Sequence, residues 1–137
     1  MSLRGNQNPT VILLLKHAIA KDIETLLNTR RYPFPLPPHL PQLQQSLLTY
    51  GLIDFTAWDF SSLETCERLR KEVLETLQKH EPRLQQPVVE LASKPDASDG
   101  AVKLNLSGWV SSPSELLILS LELAKKAAQR ARVTGAY

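Results

Sequence analysis

The chain has little of what most enzyme classes need. It holds one cysteine, Cys66, and three scattered histidines, His17, His39 and His80. One thiol excludes an internal disulfide, and neither residue type is grouped at the spacing of a zinc site. The five glycines form no GxGxxG and no GxxxxGKS/T, which removes the loops that cradle phosphates. There is no GxSxG, hence no nucleophile elbow. Cys66 falls on the apolar stripe of a helix and reads as an inert core thiol, because reactive thiols need exposure and an electropositive neighbourhood. No metal, cofactor or small-molecule substrate is expected.

Charge of one sign is lacking too. The net charge is +2 over 137 residues, too small to argue for nucleic acid. Lys125, Lys126, Arg130 and Arg132 make a basic tail, but no aromatics interleave with them, so a solvated face is the preferred reading. The longest apolar run, Val11 to Leu15, ends at Lys16 and His17. It is too short for a signal peptide or for a membrane span of about 20 residues. The expected address is the cytoplasm, without membrane insertion.

Proline is abundant: ten residues, five of them between Pro33 and Pro41. That density excludes helix or central strand, so 32–45 is expected to be an ordered connector. Residues 1–9 are expected to be a flexible N-terminus, and 10–137 a single domain.

Before the connector, Ile12, Leu15, Ile19, Ile23 and Leu26 recur at three- and four-residue spacing, which predicts a helix to about Asn28. After it, "SSLE" (Ser61 to Glu64) is a capping box opening a second helix. Its expected stripe is Leu63, Cys66, Leu69, Val73 and Leu77, and its stop is Pro82. From Pro87 the period shortens to two. "VVELAS" reads as a strand, "SKPDASDG" as a turn, and Val102, Leu104 and Leu106 alternate against Lys103, Asn105 and Ser107. The tail, 124–137, reads as strand or helix. The preferred reading is a strand through about Leu123, a turn, and a last strand near Gln129 to Thr134. The class is α+β: N-terminal helices packed on a C-terminal, mainly antiparallel sheet.

One stretch breaks a local rule. Glu81 stands at a helix C-terminus, where the macrodipole disfavours a carboxylate, with Pro82 and Arg83 directly after it. In extended geometry residues two apart point the same way, so Glu81 and Arg83 stand side by side. They are either a surface ion pair contributing about 0–1 kcal/mol or a donor–acceptor fork for a partner chain. Glycoside hydrolysis would need two carboxylates about 5–9 Å apart. Glu81 has no marked second; Asp54, Asp59 and Glu90 are merely available. No catalytic residue is assigned.

Four blocks carry a family resemblance. "DIETLLNTRR" (Asp22 to Arg31), "SLLTYGLIDF" (Ser46 to Phe55), "HEPRL" (His80 to Leu84) and the strands from Pro87 onward resemble, in order and spacing, the TssE family of type VI secretion baseplate subunits. They also resemble the gene-25-like baseplate wedge proteins of contractile phage tails. The resemblance implies a structural wedge component acting with TssF and TssG, near TssK, under a sheath of TssB and TssC. It implies assembly on the cytoplasmic side of the inner-membrane complex. It implies partner-binding roles for Glu81, Pro82 and Arg83, with Asn28, Arg30, Arg31, Tyr50 and Gly51 from the other blocks. The alternatives are an anti-adaptor binding module like IraD, which shares the fold family, and a peptidoglycan-cleaving lysozyme-like enzyme.

Overall fold

In the computed structural model the described residues are 9–31, 38–39, 49–92, 100–111, 114–124 and 130–135. The three- and four-residue apolar spacing becomes helix α1, Pro9–Asn28. Pro9 starts it, where its missing N–H costs nothing. Ile19, Ile23, Leu26 and Leu27 are buried, while Val11, Leu13 and Leu14 at the other end are exposed. The stripe is fully buried from Ile19 onward, and Leu15 packs against the core while still partly exposed.

Helix α2 spans Leu63–His80 and buries Cys66, Leu69, Val73, Thr76 and Leu77. The capping-box expectation fails at its start. The N-cap is Ser62, with no side-chain cap hydrogen bond. Asp59 takes Ser61 instead, accepting from its hydroxyl at 2.6 Å and from its N–H at 3.0 Å. This turn ends the loop one residue later than the motif implies, and Leu63 lies exposed rather than on the stripe. The Cys66 thiol donates to Phe60 O, and burial pushes its pKa up, as expected for an inert thiol.

Four strands follow: β1 Leu84–Leu91, β2 Ala101–Ser111, β3 Ser114–Ala124 and β4 Arg130–Thr134. They form one antiparallel sheet in sequence order. The preferred reading of the tail holds, because β4 pairs with β3 from Ser120↔Thr134 to Ala124↔Arg130. β1 starts earlier than expected and runs through Pro87. The register shifts between Gln85 and Val88, and Gln86 has φ +51°. This bulge on an edge strand accommodates a residue without an N–H. The connector reading falls, apart from Pro38 and His39, outside the described residues, as do 93–99 of the "SKPDASDG" turn and residues 1–8.

Alternation sorts the sheet's faces. Val102, Leu104, Leu106 and Val110 of β2, and Leu117, Leu119, Leu121 and Leu123 of β3, point into the core. The helices cover that face, α1 mainly against β4 and α2 against β1. Two layers around one core result. The inner face of the sheet is therefore closed, and the outer face carries no helix among the described residues.

Candidate functional site

The proline that stops α2 also sets the corner where the sequence breaks its rule. Glu81 is the C-cap, with φ −128° and ψ 75°, and its N–H donates to Leu77 O at 2.9 Å. A following proline disfavours the helical region, and Glu81 has left it. The chain turns at Pro82 and enters β1 at Leu84, whose N–H donates to Glu81 O at 3.3 Å.

Glu81 and Arg83 do face each other, but not at the surface. Glu81 is 4% exposed. The Arg83 guanidinium grips it with two bonds, Nε to Oε1 at 2.8 Å and Nη2 to Oε2 at 3.1 Å. Nη2 also donates to Asp22 of α1, 61 residues earlier. Two carboxylates around one guanidinium push the arginine's pKa up, with the Glu81 hydrogen bonds the largest cause and Asp22 a further one. Arg83 keeps 41% of its side chain exposed. The three side chains tie the middle of α1 to the end of α2. They also supply the cation that a carboxylate at a helix C-terminus needs. Lys79 and His80 in the last turn add to that compensation.

Of the remaining predicted residues, Arg30, Arg31, Tyr50 and Gly51 gather at a second cluster just beyond the C-terminal end of α1. Arg30 and Leu52 form a parallel bridge. Leu52 N–H donates to Thr29 O at 2.8 Å, and Arg31 N–H to Leu52 O at 2.9 Å. The "NTRR" and "YGL" blocks, which start at Asn28 and Tyr50, are thus one backbone stitch. Gly51 makes it possible. Its φ is +111°, and a Cβ there would lie 2.4 Å from Thr29 O, so only glycine fits. The two arginines then diverge. Arg31 Nη1 lies 3.5 Å from Glu72 Oε2 of α2 as an ion pair, and that buried oxygen has no hydrogen-bond partner among the described residues. Arg30 lies 3.8 Å from Asp54, and both are well exposed.

Tyr50 packs edge-on to His80, with centroids 5.4 Å apart. His80 Nε2 donates to Thr49 O at 2.9 Å. His80 therefore joins the second cluster to the Glu81 corner, since it is the residue immediately before Glu81.

Asn28 has a different position. Its Nδ2 donates to Ala131 O at 2.9 Å and its Oδ1 accepts from Ala131 N–H at 2.7 Å. Glu24 Oε2 accepts from Val133 N–H at 3.0 Å. Side chains of α1 thereby take backbone groups along the outer edge of β4, an edge that would otherwise present unpaired groups. Asp22, Glu24, Glu72 and His80 escaped the sequence reading. Asp22 and Glu24 lay inside a recognised block, but nothing local announces a contact 61 or 109 residues away.

Residues 14–114 match the family model described as baseplate wedge protein gp25. Two solved structures share the fold. One is a Geobacter sulfurreducens protein provisionally described as a tail lysozyme. It is 21% identical, with a TM-score of 0.53, over 83% of this chain and 95% of that one. The other belongs to the baseplate complex from the type VI secretion system. It is 18% identical, with a TM-score of 0.56, over 90% of this chain and 96% of that one. No curated protein matches the sequence.

Proposed function

The chain belongs to the gp25 baseplate wedge family, and from that premise we propose that it is the TssE-type subunit of a type VI secretion baseplate. It docks with the wedge proteins TssF and TssG and anchors the first ring of the TssB/TssC sheath, on the cytoplasmic side of the inner-membrane complex. Its role is mechanical. Glu81 holds Arg83 from inside, and the exposed part of the guanidinium meets the partner. The observation that carries this reading is the orientation of Arg83. Nε and Nη2 are fixed by Glu81 and Asp22, while Nη1 has no partner among the described residues. A planar cation held in this way loses little freedom when it grips a carboxylate or carbonyl of a neighbour. Arg30, Arg31 and Tyr50 extend the same surface, and Gly51 shapes the backbone beneath them.

A glycosidase reading finds no support in the corner. Both oxygens of Glu81 are held by Arg83, and the side chain is buried. Asp22, the nearest second carboxylate named by the geometry, is bound to the same guanidinium. Among the described residues no group of His, Cys, Asp and Glu is placed to hold a metal, and no helix is long and apolar enough to cross a membrane.

Co-expression with TssF and TssG, followed by purification through a tag on either, tests the reading. The protein is expected to co-purify at fixed stoichiometry. Incubation of the purified protein with peptidoglycan is expected to release no muropeptides. Release that disappears in Glu81→Gln would replace the mechanical role with an enzymatic one.

A further inference from the structure

The planar fork of Arg83 fixes where a neighbour can bind. A guanidinium carries its N–H groups in one plane and in fixed directions. Nε and Nη2 share the edge taken by Glu81. The second N–H of Nη2 points off the end of the fork to Asp22 Oδ2, and one N–H of Nη1 stands parallel to it there. Nη1 has no partner among the described residues, and neither does Asp22 Oδ1. Asp22 keeps 58% of its side chain exposed and Arg83 41%, whereas Glu81 keeps 5%. The corner therefore shows a neighbour a donor, Nη1, and an acceptor, Asp22 Oδ1, close together.

The charge of the corner is unbalanced. Two carboxylates share one guanidinium, and no other cation pairs with either among the described residues. An acceptor bonded to Nη1 stands beside Asp22, well inside the ~8 Å over which exposed charges act at physiological salt. A carboxylate in that place meets a like charge, and such juxtaposition suppresses wrong partners at interfaces. A peptide carbonyl carries no net charge and makes the same hydrogen bond.

We infer that Asp22 is a specificity-determining residue of this surface, and that the corner binds main chain of a neighbouring wedge protein instead of an acidic side chain. A carbonyl oxygen of the neighbour accepts from Arg83 Nη1, and a main-chain N–H of the neighbour donates to Asp22 Oδ1. The inference rests on the wedge reading, which assigns Arg83 to the interface; Asp22 selects what Arg83 meets.

Two substitutions of Asp22 test this. Asp22→Asn keeps an acceptor for Nη2 and removes the charge, but it turns an amide N–H group toward the neighbour's N–H. Asp22→Ala removes both oxygens. The affinity of the full-length protein for co-purified TssF–TssG is measured by titration calorimetry, with thermal melts beside it. Both variants are expected to bind about tenfold more weakly, as for the loss of a hydrogen bond to a charged group. Their melting temperatures are expected to stay within a few degrees of wild type, since Asp22 is exposed.

Tighter binding by Asp22→Asn would mean that Arg83 meets a carboxylate released from repulsion, and would overturn the inference. Wild-type affinity in Asp22→Asn with a loss in Asp22→Ala would reduce Asp22 to a prop for Arg83 and overturn it too. So would a weakening that only follows early unfolding. If wild-type protein binds TssF–TssG and both variants bind equally well, the inference is refuted and the wedge reading stands. If wild-type protein does not bind at all, the wedge reading fails and the inference falls with it.

Discussion

The corner at Glu81 and the outer face of the sheet distribute their side chains in opposite ways. At the corner, a carboxylate that water would hydrate is taken inside and given to a guanidinium of the same chain. On the outer face, a tryptophan, a leucine, an isoleucine and a valine that a core would bury are left outside. The corner therefore depends on its own chain for completion, and the outer face receives no such completion among the described residues. A charged motif at the end of a helix can be mainly architecture, whereas strands that build the core can leave large apolar side chains on their other face. The corner mixes the two roles within three residues: Glu81 is the architecture and Arg83 is the part that remains available.

This contrast can be broken at graded points. The largest effect is expected at the stitch beside the corner. Gly51→Ala puts a Cβ against the Thr29 carbonyl in a left-handed backbone, and strain of that kind costs about 2–3 kcal/mol. Urea denaturation should show the loss. An unchanged midpoint would mean that the stitch is not rigid.

Glu81→Ala comes next, at about 2 kcal/mol, since hydrogen bonds to charged groups contribute about 1.5–3 kcal/mol and this one is buried. Thermal melts should report it. Stability equal to wild type would return the pair to the surface ion pairs worth about 0–1 kcal/mol.

Asn28→Ala is expected to cost about 1–2 kcal/mol, because both amide bonds to Ala131 are lost. Hydrogen exchange should accelerate at Ala131 and Val133 and leave β2 protected. Uniform acceleration would show that β4 is not separately latched. The smallest effect on stability is expected at Trp109→Ser, within about 0.5 kcal/mol, as for surface substitutions generally. A clear loss there would mean that the outer face stabilises the fold.

Much of the fold was legible locally. Period three to four placed α1, period two placed β2, and Pro82 stopped α2, because each signal lies within a few residues of its effect. The capping box misled for the same reason: Asp59, just outside the motif, competes for Ser61. The site was legible as a set of blocks but not as an arrangement. That residues two apart are side by side follows from extended geometry, yet the depth of Glu81 depends on α1 passing over it. The meeting of Thr29 with Leu52, and of Asn28 with Ala131, likewise rests on long-range packing. The alternation in β2 was read correctly, while β3 was read as a strand without its faces being assigned. What it left unweighed was that Trp109, Leu116 and Ile118 fall on the polar phase, where an apolar residue is the anomaly.

The division of labour between Glu81 and Arg83 is the central claim, and the affinity of Arg83→Ala for TssF–TssG tests it most directly. The variant loses the same two hydrogen bonds as Glu81→Ala and leaves the buried Glu81 carboxylate without its cation. It is therefore expected to lose at least as much stability, about 2 kcal/mol or more, and its binding is measured well below its melting temperature, where it is folded. Truncating one partner of a desolvated charged contact costs about 2–5 kcal/mol, so binding should weaken by more than tenfold. Wild-type affinity in a folded Arg83→Ala protein would contradict the account and leave the whole Glu81–Arg83–Asp22 group as an internal staple.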